Sequence, residues 1–127
     1  MKPGETGVKR IISATRNSLR GIRLAWQSEA AFRQDMILGA VLVIIACIAP
    51  ITTVERVVLI AAVLILLMVE LLNSGIEAAI DRIGPERHEL SGKAKDVASA
   101  AVFFALVNLG VSNLLILGPW LLSLVSN

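Results

Sequence analysis

Val8, Ile11, Ile12, Thr15, Leu19, Ile22 and Trp26 recur at helical intervals and form one apolar face. Lys9, Arg16, Arg20 and Arg23 line the flank of that face. A basic amphipathic helix ending in Trp predicts a segment that lies in the membrane interface, its cations beside lipid phosphates. On the same wheel Glu29 falls at the edge of the apolar face, an odd place for a carboxylate without a partner. Residues 36–54 then carry no charge, about the length that crosses a hydrocarbon core. Pro50 and the short ITTVER link predict a tight turn into a second span. Residues 57–80 are apolar apart from a polar stripe, a run longer than a core of about 30 Å. The stripe-bearing end should therefore reach the headgroup zone. Gly84-Pro85 breaks that helix, and Ser91 is the expected N-cap of the next. A charge-free third span follows, with Pro119 and Trp120 at its far interface.

The pattern predicts an all-α integral membrane protein forming one membrane domain over residues 1–127. A surface helix is expected over residues 8–33 and spans over 35–50, 54–82 and 92–118. Composition agrees: 56% of residues are hydrophobic, 17% are charged, Tyr is absent and the mean hydropathy is +0.78. The net charge of +2 matters less than its placement. Of twelve Lys and Arg, seven fall within residues 2–33, four within 82–95, and only Arg56 lies elsewhere. The positive-inside rule then predicts a cytoplasmic N-terminus, a cytoplasmic 82–95 loop and a C-terminus outside. A removable signal peptide is not expected, because the first thirty or so residues are polar. Cys47 is the single cysteine, so no disulfide forms within the chain.

The candidate chemistry lies in residues 70–81, ELLNSGIEAAID. Glu70, Asn73, Glu77 and Asp81 share one face of a helix, a stripe about 16 Å long whose first member sits at membrane depth. An ionisable residue there costs several kcal/mol, which marks a functional site. Glu29, Glu77 and Asp81 are hard oxygen donors suited to Mg2+; ion pairing with Arg82, Lys93 or Lys95 is the alternative. Glu70 has no basic neighbour on its span. It is a candidate general base, against the alternative of an interhelical hydrogen bond made while protonated. Ser91-Gly92-Lys93 is not a phosphate-binding loop, since Arg87 stands where that motif requires Gly and no strand precedes it. His88 is the only histidine, which excludes a histidine-based metal cluster. Three helices alone cannot hide the stripe from lipid. Ser74, Gly75, Ala78 and Ala79, with Ser99, Ala100 and Ala101, allow close helix contacts, and an oligomer is expected to close the site.

At these residues the chain resembles the prokaryotic diacylglycerol kinases. The likeness rests on ELLNSGIEAAID, on residues 29–35 (EAAFRQD), and on residues 89–96 (ELSGKAKD) followed by SAAV at 99–102. It covers essentially the whole chain. Gly75 departs from the usual Ser or Ala, and Asn17 from an aromatic, which leaves base stacking at that position open. The resemblance implies a homotrimeric helical bundle in the bacterial inner membrane, with a periplasmic C-terminus. Its implied reaction is ATP- and Mg2+-dependent phosphorylation of 1,2-diacylglycerol, with no nucleic-acid partner. By position, the resemblance makes Glu70 the base with Asn73 beside it, Glu29 and Glu77 the metal ligands, and Lys95 the contact to the transferring phosphoryl. It places Arg10, Asn17, Glu86, Arg87, His88 and Asp96, together with Glu29, Glu77 and Lys95, around ATP. Arg10, Arg23, Trp26, Glu70 and Ser99 are the implied lipid contacts, and Asp81 a supporting residue. An undecaprenol kinase on the same scaffold is the nearer alternative. A small proton-coupled multidrug exporter is the more distant one, since such exporters have four spans with their Glu in the first.

Overall fold

The computed structural model describes residues 3–126; Met1, Lys2 and Asn127 lie outside the described residues. Four helices follow one another: α1 (Gly7–Ser28), α2 (Ala30–Ile48), α3 (Thr53–Ile83) and α4 (Glu89–Val125). The last three are long and apolar enough to cross a membrane. The all-α class and the three spanning helices behind an amphipathic N-terminal helix are thus present.

The surface helix ends earlier than its periodicity implies. Glu29 has extended backbone (φ −119°, ψ 107°) and stands between α1 and α2. Arg33 stabilises the elbow, its Nη1 donating to the carbonyls of Trp26 at 2.6 Å and Gln27 at 3.3 Å. Those oxygens lie in the last turn of α1, where the helix has no N–H to offer them. Residues 30–33, expected on the surface helix, therefore open the first span.

The α2–α3 turn is closed by a capping box. Glu55 N donates to Thr52 Oγ1 at 3.1 Å, and Thr52 N to Glu55 Oε1 at 3.0 Å. Arg56, the cation outside both basic clusters, reaches back to the end of α2. It donates to the carbonyls of Ala46 at 2.8 Å, Ala49 at 3.0 Å and Ile51 at 3.4 Å. At the other side of the molecule α4 starts earlier than expected. His88 rather than Ser91 is its N-cap, with Nδ1 accepting from Leu90 N at 3.1 Å. Helix α4 also continues through Pro119 to Val125, beyond the expected end at residue 118. A proline removes one backbone donor, which a long apolar helix in lipid tolerates.

Helix α3 lies between α2 and α4 and packs against both, while α1 touches α2 and α3. One buried cluster joins Ala62, Val63 and Leu66 to Ala105 and Leu109; a second joins Ala46, Ala49 and Leu59 to Leu117. Gly39 lets α2 approach α3 closely, since a Cβ there would stand 2.7 Å from Val63 Cγ1. Only 17–28% of each span's most apolar stretch is buried within the chain. The remaining apolar faces are left for lipid or for other copies.

Candidate functional site

The polar stripe of α3 comes to lie where α1, α2 and α3 meet. Glu70 is 6% exposed and is the buried charged side chain among the described residues. Its carboxyl meets that of Asp35 on α2 within hydrogen-bonding reach, and Glu29 and Glu77 are close enough to act on it electrostatically. One turn further along α3, Asn73 Nδ2 donates to Glu77 Oε1 at 3.4 Å. Asn73 Oδ1 is buried and has no partner.

Nearer the end of α3 the stripe meets α4. Lys95 Nζ donates to Asp81 Oδ1 at 2.7 Å, the ion pair found among the described residues. Glu77 also lies close enough to act on Lys95 electrostatically, after the larger effect of Asp81. Asp81 therefore takes the ion-pairing option, whereas Glu29 and Glu77 make no ion pair among the described residues. Beside this pair a cavity of about 500 Å³ is lined by Asp81, Glu86, Arg87, His88 and Lys95 with their loop neighbours. A second, of about 540 Å³, lies between α1 and α3, with Glu29 at its edge and Ser74 and Gly75 on its wall.

Of the residues singled out in the sequence, Glu29, Glu70, Asn73 and Glu77 gather in one place. Glu86, Arg87, His88 and Lys95 gather in the adjoining loop cavity. Arg10, Asn17, Arg23, Trp26, Asp96 and Ser99 are exposed and line neither cavity. Asp35 is the residue that sequence reasoning missed. Its signal was available: an acid at the start of a charge-free span, the same combination that singled out Glu70.

The donor set is all hard oxygen. No three His, Cys, Asp or Glu side chains among the described residues form a metal cage. Mg2+ does not require one, because it is commonly held by one or two carboxylates with substrate phosphates completing the shell. Glu29 and Glu77, both close enough to act on Glu70, fit that pattern.

Fold and site together define a small three-span membrane protein with an acid cluster along its central span. The model of the prokaryotic diacylglycerol kinase family matches residues 16–117. A diacylglycerol kinase of Escherichia coli is 50% identical over 107 residues, covering 84% of this chain and 88% of the relative. One from Pseudomonas aeruginosa is 50% identical over 109 residues, covering 86% and 89%. One from Helicobacter pylori is 40% identical over 105 residues, covering 83% and 82%. The chain belongs to the prokaryotic diacylglycerol kinase family. It is a kinase of the lipid-kinase type and a multi-pass inner-membrane protein, and its family implies dependence on ATP and Mg2+. The exporter reading is set aside.

Proposed function

We propose that this protein transfers the γ-phosphoryl of ATP to the free hydroxyl of 1,2-diacyl-sn-glycerol, giving phosphatidic acid and ADP at the cytoplasmic membrane surface. The observation that carries the reading is the burial of Glu70 beside Asp35, Glu29 and Glu77, where a spanning helix leaves the apolar core. A diacylglycerol presents its hydroxyl at that depth, and a nucleotide reaches the same place from the cytoplasm.

The hydroxyl oxygen attacks the γ-phosphorus as the bond to the β-phosphate oxygen breaks, and the hydroxyl proton passes to the Glu70 carboxylate. Asn73 orients the lipid hydroxyl and Glu77. Glu29 and Glu77 would hold Mg2+, which when bound neutralises phosphate charge. Lys95, aligned by Asp81, neutralises charge on the transferring phosphoryl. Glu86, Arg87 and His88, with Asp96, Arg10 and Asn17, surround the nucleotide. Arg10, Arg23, Trp26 and Ser99 contact the lipid. A homotrimer closes the exposed faces of the spans around these sites.

The N-terminus and the loop after α3 lie in the cytoplasm and the C-terminus outside. Reporter fusions after Arg33, near Thr53, after Arg87 and at Asn127 should alternate in, out, in, out; a cytoplasmic Asn127 fusion overturns the topology. The lipid is tested by assaying diacylglycerol and undecaprenol side by side in the same vesicles. Diacylglycerol is the better substrate if the reading holds, and preference for the polyisoprenyl alcohol reassigns the chain.

A further inference from the structure

Glu29 stands at the joint of two helices, and its side chain caps neither of them. Its backbone N–H makes the last bond of α1, to Ala25 O at 2.9 Å. Its carbonyl takes the first bond of α2, from Arg33 N at 3.2 Å. A side-chain oxygen at this N-cap position commonly accepts from the free amides of the first turn; the Glu29 carboxylate is left out of that role. What closes the joint is Arg33, one turn into α2 and next to the buried Phe32. Its Nη1 reaches back past Glu29 to the carbonyls of Trp26 and Gln27. A cation there meets both the free carbonyls of α1 and the negative end of its dipole.

The same contact decides which charges meet. In one continuous helix Glu29 and Arg33 would be i, i+4 neighbours and would pair. Asp35 lies two residues beyond Arg33. Arg33 pairs with neither acid, since the ion pair found among the described residues joins Lys95 to Asp81. The guanidinium is held on carbonyls, and Glu29 keeps its charge beside Glu70.

We propose that Arg33 is a positioning residue for Glu29. By holding the end of α1 it sets the bend that brings the Glu29 carboxylate to the acid cluster. It also keeps its own charge off that carboxylate, which stays open to a divalent cation. Mg2+ demands near-ideal octahedral geometry, so a carboxylate that is displaced or already paired binds it weakly. Residues that orient a ligand without touching the metal change its affinity by about 10–100-fold. The inference rests on Glu29 as a metal ligand, not on which lipid alcohol is phosphorylated.

The full-length protein in detergent micelles is titrated with Mn2+ in the presence of a non-hydrolysable ATP analogue. Free Mn2+ is read by electron paramagnetic resonance; it replaces Mg2+ at oxygen ligands. Arg33→Gln, Arg33→Lys and Glu29→Gln are compared with the double variant Arg33→Gln/Glu29→Gln. Gln removes the guanidinium, whereas Lys keeps the charge but frees it to reach Glu29. Each Arg33 variant should weaken Mn2+ binding by about tenfold. The Mg2+ concentration for half-maximal rate should rise in step. The double variant should bind no more weakly than Glu29→Gln alone, because Arg33 acts only through Glu29. Additive losses, wild-type Mn2+ affinity in either Arg33 variant, or failure of both to assemble overturns the proposal. A Glu29→Gln protein that binds Mn2+ as wild type does overturns the metal reading of Glu29, and the inference with it.

Discussion

Lys95 on α4 and Asp81 on α3 hold each other at 2.7 Å, at the rim of the loop cavity. Their side chains are 42% and 68% exposed, so the pair adds little to stability. Its effect is on direction: Asp81 fixes where the Lys95 ammonium points. Asp81→Asn should leave thermal stability unchanged and lower kcat/KM for ATP by about tenfold through misplacement of Lys95. Lys95→Met should be the more damaging change. Steady-state kinetics with a melting curve for each variant checks this, and an Asp81→Asn enzyme as impaired as Lys95→Met would assign Asp81 a direct role.

Glu70→Gln separates a base from a structural polar residue. A carboxamide fills the same space and still forms hydrogen bonds, but it accepts no proton. Loss of a general base should lower kcat by about 10²–10⁴-fold while KM for ATP and lipid changes little. An active Glu70→Gln enzyme with normal oligomer content removes Glu70 from the mechanism and moves the search for the base to Asp35, the carboxyl beside it.

Glu77→Gln keeps the shape next to Asn73 and removes one charge from the acid cluster. If Glu77 holds Mg2+, the rate should fall by at least about 10²-fold, on the order of 3 kcal/mol. The Mg2+ concentration for half-maximal activity should rise as well. A Mg2+ titration of a properly assembled variant that overlays wild type rejects the assignment.

Gly39→Ala tests the α2–α3 contact away from the site. The added methyl would stand 2.7 Å from the Cγ1 of Val63, which is buried and β-branched and cannot easily turn aside. Destabilisation of about 1–3 kcal/mol is expected, read as a lower denaturation midpoint in detergent. Activity per folded molecule should stay near wild type. A midpoint equal to wild type would show that the two helices separate freely at this level.

The amino-acid order by itself determined the helical class, the three spans, the amphipathic α1 and the acid stripe. Each of these is a property of periodicity and local hydropathy, and periodicity is visible in one dimension. The 70–81 stripe needed only the helix repeat to place Glu70, Asn73, Glu77 and Asp81 on one face. The tertiary structure decided what depends on side chains that meet from different elements. Arg33 turns toward the Trp26 carbonyl and splits at Glu29 what periodicity joins. His88 accepts from the Leu90 amide and starts α4 before Ser91. Asp35 reaches Glu70 because α2 packs against α3. Asp81 selects Lys95 over its sequence neighbour Arg82. A long polar side chain can satisfy its hydrogen bonds with any of several partners in reach, and only packing fixes which of them is near.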